Sequence, residues 1–326
     1  MFNKLSFKIT ALFASIILLY LLSIVFIALP KIKEYVFESE TRNVKAQLQK
    51  VSSVVNAKSK VLETFSELSL KNHKNRIRDI ALVGNHILQT YYNKYKQGHV
   101  SLLRAKELAY QEINAIRYGE NDYFYILNNK GILVQHPDSR FVGKSLYNRS
   151  DERGKMFAQE LMRNSLAQGE SYTRYWWVKE KKDEILEKIT YTKYFEPWDI
   201  YISTGLYIDD IQKEIDLQRE SIIKSLKNIL HSMKLVKTGY IFVLSDKNQL
   251  IIHPDETREN QDFSNIFTLN ESFKKAYETA STLRYFKDTT NNSREKLAWV
   301  EYNDFFGWYI VATVYKNELY STAKNI

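Results

Sequence analysis

The longest uninterrupted apolar stretch of the chain is Ile9–Leu29, in which 21 consecutive residues carry no charge. A helix of that length measures about 30 Å, which matches the hydrocarbon core of a bilayer. The pattern therefore predicts a transmembrane helix. A cleaved signal peptide fits less well, because its apolar region is shorter and ends in small residues, whereas this stretch ends at Pro30 without an A-x-A pattern. A buried helix of a globular domain rarely stays free of charge over so many turns.

The charges that flank this stretch do not decide its orientation, because Lys4 and Lys8 precede it and Lys31 and Lys33 follow it. Very little chain comes before the span, so we expect residues 1–8 to be cytoplasmic. No second apolar run of comparable length follows in the sequence. The expected arrangement is a single-pass protein of the cell inner membrane, with the bulk of the chain periplasmic or extracellular.

Residues 31–97 have the pattern of one long amphipathic helix. Leu, Ile and Val are interspersed with Lys, Glu and Gln, and the helix is expected to end near Gly98. The apolar positions that recur at intervals of three and four include Val44, Leu48, Val51, Val55, Leu62, Phe65 and Leu68. This stalk helix packs either against the protein's own domains or against a second copy in a parallel dimer, and we expect a homodimer through it.

An internal repeat organises the remainder of the chain. Tyr123–Asp138 aligns without a gap on Tyr240–Asp255, at a constant offset of 117 residues, and both segments end in His-Pro-Asp. Each has the pattern of a strand, a polar turn and a second strand that stops at proline. Tyr201–Tyr207 likewise parallels Tyr309–Tyr315 further along the chain. The sequence therefore predicts one structural unit that occurs twice.

Between these repeated segments each copy has a helical stretch, at 151–167 and 270–281, and two further strands. Each unit is predicted as helix, two strands, helix and three strands. The fold class is α+β, with roughly five antiparallel strands flanked by helices in each unit. The expected domains are a membrane-distal unit at 98–212, a membrane-proximal unit at 213–320 and a tail at 321–326.

Composition narrows the possible functions. The chain of 326 residues has no cysteine, which excludes disulfides, thiolate metal sites and cysteine nucleophiles. Its net charge of +9 would suit a nucleic-acid partner, but residues 31–78 hold 11 Lys or Arg against five Glu, so most of the excess belongs to the stalk. Since the soluble part is expected outside the cytoplasm, we expect no nucleic-acid partner. The basic stalk face is expected in solvent or near anionic headgroups of the membrane.

The sequence carries no recognisable catalytic motif. Gly143-Lys144-Ser145 matches the end of a phosphate-binding loop, but Asp138 stands where that loop requires a glycine. The six histidines lack the spacing of metal ligands. We therefore expect no catalytic residue, no metal and no cofactor. An output enzyme domain, such as a kinase or a cyclase, would lie beyond residue 326.

Two segments of the first unit, Arg117–Pro137 and Pro197–Asp210, resemble the signature blocks of the Cache family of extracytoplasmic sensor domains. The resemblance covers about residues 35–318 as a double Cache module and implies two PAS-like units. The second unit keeps the tyrosine, His253 and Trp308 but lacks the Arg-Tyr-Gly lead-in. Members of this family bind small molecules, often short carboxylates or amino acids. They pass the signal through the membrane to kinase, cyclase or chemotaxis domains.

A ligand pocket in the first unit is the strongest chemical hypothesis. Side chains two positions apart on a strand share a face, so Tyr123 and Tyr125 are expected together, as are Tyr172 and Trp176. Tyrosine and tryptophan give a pocket wall hydrogen-bonding edges, and arginine or lysine would hold a carboxylate. The candidate ligand-binding residues are Arg117, Tyr123, Tyr125, His136, Tyr172, Trp176, Lys188 and Tyr191. Packing is the competing role for each, since the chain has 23 tyrosines.

The expected function is that of a membrane-anchored sensor. It would bind a small metabolite, a short carboxylate or similar anion, in the first unit and relay a conformational signal across the membrane. The competing hypothesis is a ligand-free structural or partner-binding platform of a receptor complex. The chain is then either the sensor portion of a longer receptor or a stand-alone anchored sensor.

Overall fold

The computed structural model describes residues 2–119, 121–179, 184–261, 267–287 and 294–324. The chain divides into two compact units. The first unit is Leu62–Arg219, and the second unit combines Met1–Val61 with Glu220–Ile326. Each unit carries one five-stranded sheet.

The N-terminal part of the chain is helical. Its elements are α1 (Phe2–Ser23), a π-helical turn (Ile24–Ala28) and α2 (Leu29–Lys96). In the π-helical turn the Leu29 amide donates to the carbonyl of Ile24, five residues back, next to Pro30, which has no amide hydrogen to give. One helix among the described residues is long and apolar enough to cross a membrane, and its most apolar window has a mean hydropathy of 2.8.

The first unit follows the predicted order of helices and strands. Its elements are α3 (Leu102–Ala115), β1 (Phe124–Asn128), β2 (Leu133–Gln135), α4 (Phe157–Gln168), β3 (Glu170–Lys179), β4 (Glu184–Phe195) and β5 (Ile200–Tyr207), and α5 (Ile208–Ser232) begins directly after β5. The strands are antiparallel and lie in the order β2-β1-β5-β4-β3.

Strand register decides which side chains share a face of this sheet. Tyr125 pairs with Ser203, and Lys188 pairs with Tyr175 on one side and Tyr207 on the other. Residues directly opposite each other on neighbouring strands point to the same side. These side chains therefore belong to one face, which we call the α4 face.

The α4 face is covered by α4 and by residues 136–156, which we call the cover segment. The core on this side consists of Tyr123, Tyr125, Leu127, Leu133, Leu146, Phe157, Ala158, Leu161, Met162, Tyr175, Trp177 and Tyr201. The opposite face of the sheet packs against α2 and α3, with Phe124 and Ile202 in contact with Leu88 and Ala109. The α4 face is the more aromatic of the two cores.

Gly84 allows α2 to approach the sheet closely. A Cβ atom at this position would lie 2.6 Å from Cδ1 of Ile202 and 2.8 Å from Cε1 of Phe124, closer than real Cβ contacts allow. The glycine is therefore explained by backbone approach, and it interrupts the helical pattern of the sequence without ending the helix.

The second unit repeats this architecture. Its elements are β6 (Tyr240–Ser245), β7 (Leu250–Ile252), α6 (Phe267–Glu278), β8 (Leu283–Lys287), β9 (Arg294–Asn303) and β10 (Trp308–Tyr315). The strand order β7-β6-β10-β9-β8 is that of the first sheet. Asn303, at the end of β9, donates through Nδ2 to Oδ1 of Asn56 (2.7 Å) and to Oγ of Ser59 (3.1 Å), which ties α2 to this sheet.

The predicted α+β fold with two antiparallel sheets is confirmed, and two helices differ in their bounds. The helix expected at 270–281 is α6 (Phe267–Glu278), which begins and ends three residues earlier. The helix expected at 151–167 begins at Phe157. The reason is the Asp151 carboxylate, which accepts hydrogen bonds from the amides of Arg153 and Lys155, both at 2.9 Å, and holds them in a turn. The same carboxylate accepts from the Trp176 amide at 3.1 Å, so the turn is also fastened to β3.

Candidate ligand-binding site

The first unit encloses a small cavity between the α4 face of the sheet, α4 and the cover segment. Its lining residues are Tyr123, Tyr125, Leu133, His136, Leu146, Phe157, Tyr175 and Trp177. The free volume is about 10 Å³, which is the space of about one water molecule. The side chains are therefore closed on one another, and any larger molecule would have to displace the lining.

The floor of the cavity is a layer of hydroxyl groups. The hydroxyls of Tyr125 and Tyr175 lie 3.1 Å apart, and Thr190 donates to Tyr175 at 3.0 Å. Burial raises the pKa of Tyr125 and raises that of Tyr175 further, so both hydroxyls stay neutral and can donate hydrogen bonds. Gly205 lies opposite Thr190, and a Cβ there would come within 2.4 Å of the Ile189 carbonyl oxygen. This glycine lets the two strands pair beneath the hydroxyl layer.

Lys188 places a cation beside this floor. Its side chain is 1% exposed, and Nζ lies 4.1 Å from the ring centroid of Tyr123 and 5.0 Å from that of Tyr207. A buried ammonium needs compensating negative potential, and the faces of aromatic rings supply part of it. Burial raises the pKa of the nearby Asp122 carboxyl to about 6, while Lys188 acts in the opposite direction. The region is therefore polar, buried and cationic at its base.

His136 faces the same cavity from the start of the cover segment. Its Nδ1 lies 3.0 Å from the amide nitrogen and 3.2 Å from the carbonyl oxygen of Asp138. The shorter contact is with a group that can only donate, so we assign the ring proton to Nε2. The ring lies 4.9 Å from that of Tyr123 and 5.1 Å from that of Phe141. Burial, helped by the charge of Lys188, lowers the pKa of His136 to about 4. At neutral pH the imidazole is therefore an uncharged donor through Nε2.

Cations also lie around the outside of the cavity. The Arg149 guanidinium stands 5.0 Å from the ring of Trp177 and 5.8 Å from that of Phe141, and Lys144 Nζ lies 5.9 Å from Phe141. Such a set of positive groups raises the local concentration of anions by its electrostatic field.

The structure brings four of the eight predicted residues together. Tyr123, Tyr125 and His136 line the cavity, and Lys188 contacts the Tyr123 ring from below. Arg117 is exposed, and its Nη1 donates to the carbonyls of Asn114 (2.5 Å) and Ile116 (2.8 Å) at the end of α3. The arginine thus binds backbone groups that the helix end leaves free.

The remaining three predicted residues lie on the opposite face of the sheet. Tyr172 donates to the Lys74 carbonyl of α2 at 2.9 Å, and Tyr191 donates to the Glu170 carboxylate at 2.5 Å. Trp176 lies under the Arg153 guanidinium, 4.3 Å from its ring centroid. The pairing register of β3 and β4 explains this placement. Side chains alternate along each strand, and the residues next to these three are the ones that point to α4.

Sequence reasoning missed four aromatic residues of the site: Phe157, Tyr175, Trp177 and Tyr207. Phe157 stacks on Tyr175 with ring centroids 4.2 Å apart. Ser171 and Thr173 precede Tyr175 at alternate positions of β3, so all three side chains point to the same face of the sheet. These two small hydroxyl residues are the sequence signal that could have identified this face as the one with the cavity. Small polar side chains on one face of a sheet leave room for a ligand. Tyr172 and Trp176 occupy the positions between them on β3 and therefore point to the other face.

The second unit has a lysine and a histidine at the positions of Lys188 and His136, but it lacks the layer of hydroxyl groups. Lys296 Nζ lies 4.6 Å from the ring of Tyr240 and 4.7 Å from that of Tyr315, and Nδ1 of His253 accepts from the Asp255 amide at 3.0 Å. The residues at the positions of Tyr125, Thr190 and Ser203 are apolar: Phe242, Ala298 and Val311. Only the first unit therefore combines a buried lysine with a hydroxyl floor, among the residues that the structure describes.

Two curated proteins illustrate the relationships of the sequence. The methyl-accepting chemotaxis protein McpP of Pseudomonas putida is 27% identical over 144 residues, which are 44% of this chain and 26% of that protein. The sensor histidine kinase MctS of Rhizobium johnstonii is 24% identical over 184 residues, which are 56% of this chain and 39% of the kinase. The chain thus spans well under half the length of the curated relatives it matches.

Similar solved structures are Cache and chemoreceptor ligand-binding domains. One is a Cache chemosensory domain described for carboxylic acid recognition, with 24% identity, a TM-score of 0.42 and coverage of 44% of this chain and 97% of that one. Another is the ligand-binding domain of Campylobacter jejuni chemoreceptor Tlp3 with 4-methylisoleucine, with 16% identity, a TM-score of 0.31 and coverage of 87% and 94%. A family model, described as the Cache domain, matches residues 30–320 and thus most of the sequence. The chain therefore belongs to the Cache domain family.

Proposed function

We propose that this protein is the sensor of a membrane-anchored receptor and that it binds a small carboxylate in the cavity of the first unit. The observation that carries the proposal is the buried Lys188 ammonium next to neutral donors. A carboxylate would be attracted by the lysine charge and would accept hydrogen bonds from Nε2 of His136 and from one hydroxyl of the Tyr125–Tyr175 pair, because the other hydroxyl proton lies in the bond between the two tyrosines. Charge-assisted hydrogen bonds of this kind are the stronger ones in proteins.

The size of the cavity implies that binding moves the cover segment. A free volume of about 10 Å³ is smaller than any carboxylic acid. The cover segment binds β3 through Lys155 Nζ to the Arg174 carbonyl at 2.7 Å and through the Asp151 carboxylate to the Trp176 amide at 3.1 Å. It also binds the β1–β2 hairpin through backbone hydrogen bonds, such as the Leu146 amide to the Gly131 carbonyl at 2.8 Å. A ligand that favours an opened arrangement of these contacts would shift the population of the unit.

The path from the cavity to the relay runs through the end of β5. Tyr207, whose ring faces Lys188, donates to the Val178 carbonyl at 2.6 Å, and α5 starts at the next residue. Lys179 binds Asp209 and Asp210 in the first turn of α5, at 3.2 and 2.8 Å. A change at Lys188 therefore reaches α5 through contacts within one unit, and we propose that α5 and α2 carry it toward the membrane.

The same proposal includes topology and assembly. Residues 9–29 would span the inner membrane, with the two units outside the cytoplasm, the first of them distal. Val54, Val61 and Leu68 are 37%, 52% and 50% exposed and recur every seven residues on α2. A heptad stripe of exposed apolar side chains is typical of a helix that pairs with another helix. A homodimer through α2 would cover it.

The duplicated lysine provides a matched control for the binding test. The full chain in maltoside detergent would be titrated calorimetrically with acetate, propionate and pyruvate, and with amino acids as a second panel. Lys188→Met should abolish binding, whereas Lys296→Met in the second unit should leave it unchanged. The proposal is wrong if no carboxylate or amino acid binds, which favours a ligand-free platform, or if Lys296→Met alone removes binding.

A further inference from the structure

The second unit has a larger groove at one end of its sheet, distinct from its repeated lysine and histidine. It lies between α6 and the turns that follow β6 and β9, and its volume is about 590 Å³. The lining residues are Asp246, Asn248, Glu271, Lys274, Tyr277, Glu278, Tyr302, Asp304 and Tyr309. Nothing in the carboxylate proposal uses this groove.

The charge of the groove is opposite to that of the protein. Four of its nine lining residues are carboxylates and one is a lysine, in a chain whose net charge is +9. The carboxylates come from α6 and from two separate turns, so folding collects them at one place. A concave surface with charge of one sign concentrates ions of the other sign. The groove therefore favours a cation.

Tyrosine rings form the wall of the groove. The ring centroids of Tyr302 and Tyr309 are 4.8 Å apart, and those of Tyr277 and Tyr302 are 5.9 Å apart. Tyr309 is 7% exposed and belongs to the lining of the groove. Its hydroxyl is not among the fully buried polar atoms without a partner that the described residues contain, so a ligand in the groove can reach it. A hydroxyl in this position can accept a hydrogen bond from an ammonium group.

The first unit has a tyrosine pair at the equivalent position, but there a side chain of the protein fills the space beside it. Tyr194 and Tyr201 form the equivalent pair, with centroids 5.1 Å apart. There the Tyr194 hydroxyl donates to Asp199 at 3.0 Å, and Asn129 donates to the same carboxylate at 2.6 Å. In the first unit the Asp199 carboxylate therefore occupies the space beside the tyrosine pair and accepts the hydrogen bond of the Tyr194 hydroxyl.

In the second unit the residues equivalent to Asp199 and Asn129 are different. Gly307, two residues before Tyr309, stands at the place of Asp199, and Asp246 stands at the place of Asn129. A Cβ at Gly307 would lie 2.8 Å from Oδ2 of Asp246, so a side chain at this position would have to displace the Asp246 carboxylate. The two replacements remove the hydrogen bond to the tyrosine pair and add a negative charge beside it.

We propose that this groove binds a small organic cation, either a protonated amine or a quaternary ammonium ion. Tyrosine faces attract such cations, and the carboxylates around them add Coulombic attraction. A metal ion fits less well, because the described residues contain no group of three Asp, Glu or His placed to hold one. The second unit would thus be a separate input to the receptor, of opposite charge preference to the first.

Tetramethylammonium is a suitable probe, with tert-butanol as its uncharged analogue of similar shape. A ligand-observed NMR titration of the full chain in maltoside detergent, at constant ionic strength, should show saturable binding of the cation and none of the alcohol. Tyr277→Leu should weaken binding about 3- to 30-fold through the lost ring face. Asp304→Asn should weaken it about 2- to 5-fold, and Lys274→Gln should strengthen it by a similar factor.

Two control variants keep the test specific. Phe305→Leu removes an exposed ring next to the groove, and Glu220→Gln removes an exposed carboxylate elsewhere in the unit, so neither should change the affinity. Circular dichroism would show that every variant is folded. The proposal fails if tert-butanol binds as well as the cation, if neither binds, or if Tyr277→Leu and Asp304→Asn bind like the controls.

Discussion

Replacing His136 by asparagine separates the packing role of this residue from its protonation. The asparagine oxygen can accept the hydrogen bond that Nδ1 now accepts from the Asp138 amide, since Asn forms such turns readily. The variant loses the ring contacts with Tyr123 and Phe141. Losses of this kind cost about 1–2 kcal/mol, so we expect the variant to be less stable at pH 7 by that amount.

The pH dependence reverses this order. The pKa of His136 is about 4 in the folded protein, against the usual 6.5 in an unfolded chain, because burial disfavours the charged ring. Protonation therefore favours the unfolded state, and the wild-type protein loses stability as the pH falls from 6.5 to 4. At about 1.4 kcal/mol per pH unit, the loss is about 3 kcal/mol. The asparagine variant has no such loss and should be the more stable protein at pH 4.

Urea unfolding followed by tryptophan fluorescence would measure both proteins between pH 4 and 7. Three of the five tryptophans, Trp176, Trp177 and Trp198, lie in the first unit and report on it. Asp122, whose pKa is raised to about 6, also titrates in this range with the opposite sign. Its contribution is common to both proteins and cancels in their difference. Stability curves that run parallel from pH 7 to pH 4 would refute a neutral, buried His136.

Three further outcomes are expected. Gly84→Ala should lower stability by about 1 kcal/mol in thermal unfolding, because the added methyl group displaces the buried Phe124 ring and this outweighs the gain in helix propensity; unchanged or higher stability would contradict it. Asp122→Asn should raise stability at pH 7 by about 3 kcal/mol and have little effect at pH 4, since burial disfavours the carboxylate; a uniform effect across pH would argue against this. Val61→Glu should shift the full chain from dimer to monomer in light scattering, and an unchanged mass would exclude α2 as the interface.

The sheets were predictable because the repeat and the strand alternation agree. Tyr123–Asp138 and its copy 117 residues later each carry a hairpin pattern, and two independent copies of one pattern support each other. The phase of β3 was not predictable. Tyr172 and Trp176 alternate with Tyr175 and Trp177, so both faces of the strand are aromatic and alternation does not say which one meets α4. The place of β3 in the whole sheet decides it, since β3 is connected to β1 through β4 and β5, and the pairing of β1 with β5 joins residues as distant in sequence as Phe124 and Thr204.

Arg117 and Tyr191 show two other limits of sequence reasoning. The charge of Arg117 predicts a contact with an anion, but its position two residues after the end of α3 gives it backbone carbonyls to bind, and helix ends attract such side chains. Tyr191 is fully buried, yet its hydroxyl binds Glu170 on the face that meets α2. Lys188 carries a clearer signal in the sequence, because a lysine in the middle of a strand has few structural roles unless it is paired, and the structure places it beside the cavity.

Comparison of the two units indicates which interactions belong to folding and which to sensing. Each unit has a lysine between two tyrosine rings and a histidine whose Nδ1 accepts a hydrogen bond from the backbone amide two residues later. A buried ammonium needs the tyrosine rings whether or not a ligand is present. These shared features therefore explain stability without any ligand. The hydroxyl floor occurs under one lysine, and Val311 and Ala298 replace it under the other. The hydroxyls of this floor bond to one another, so their burial is compensated without a ligand. The feature that the first unit adds to the shared lysine is therefore a set of neutral donors, and these are the groups that the proposed carboxylate would use.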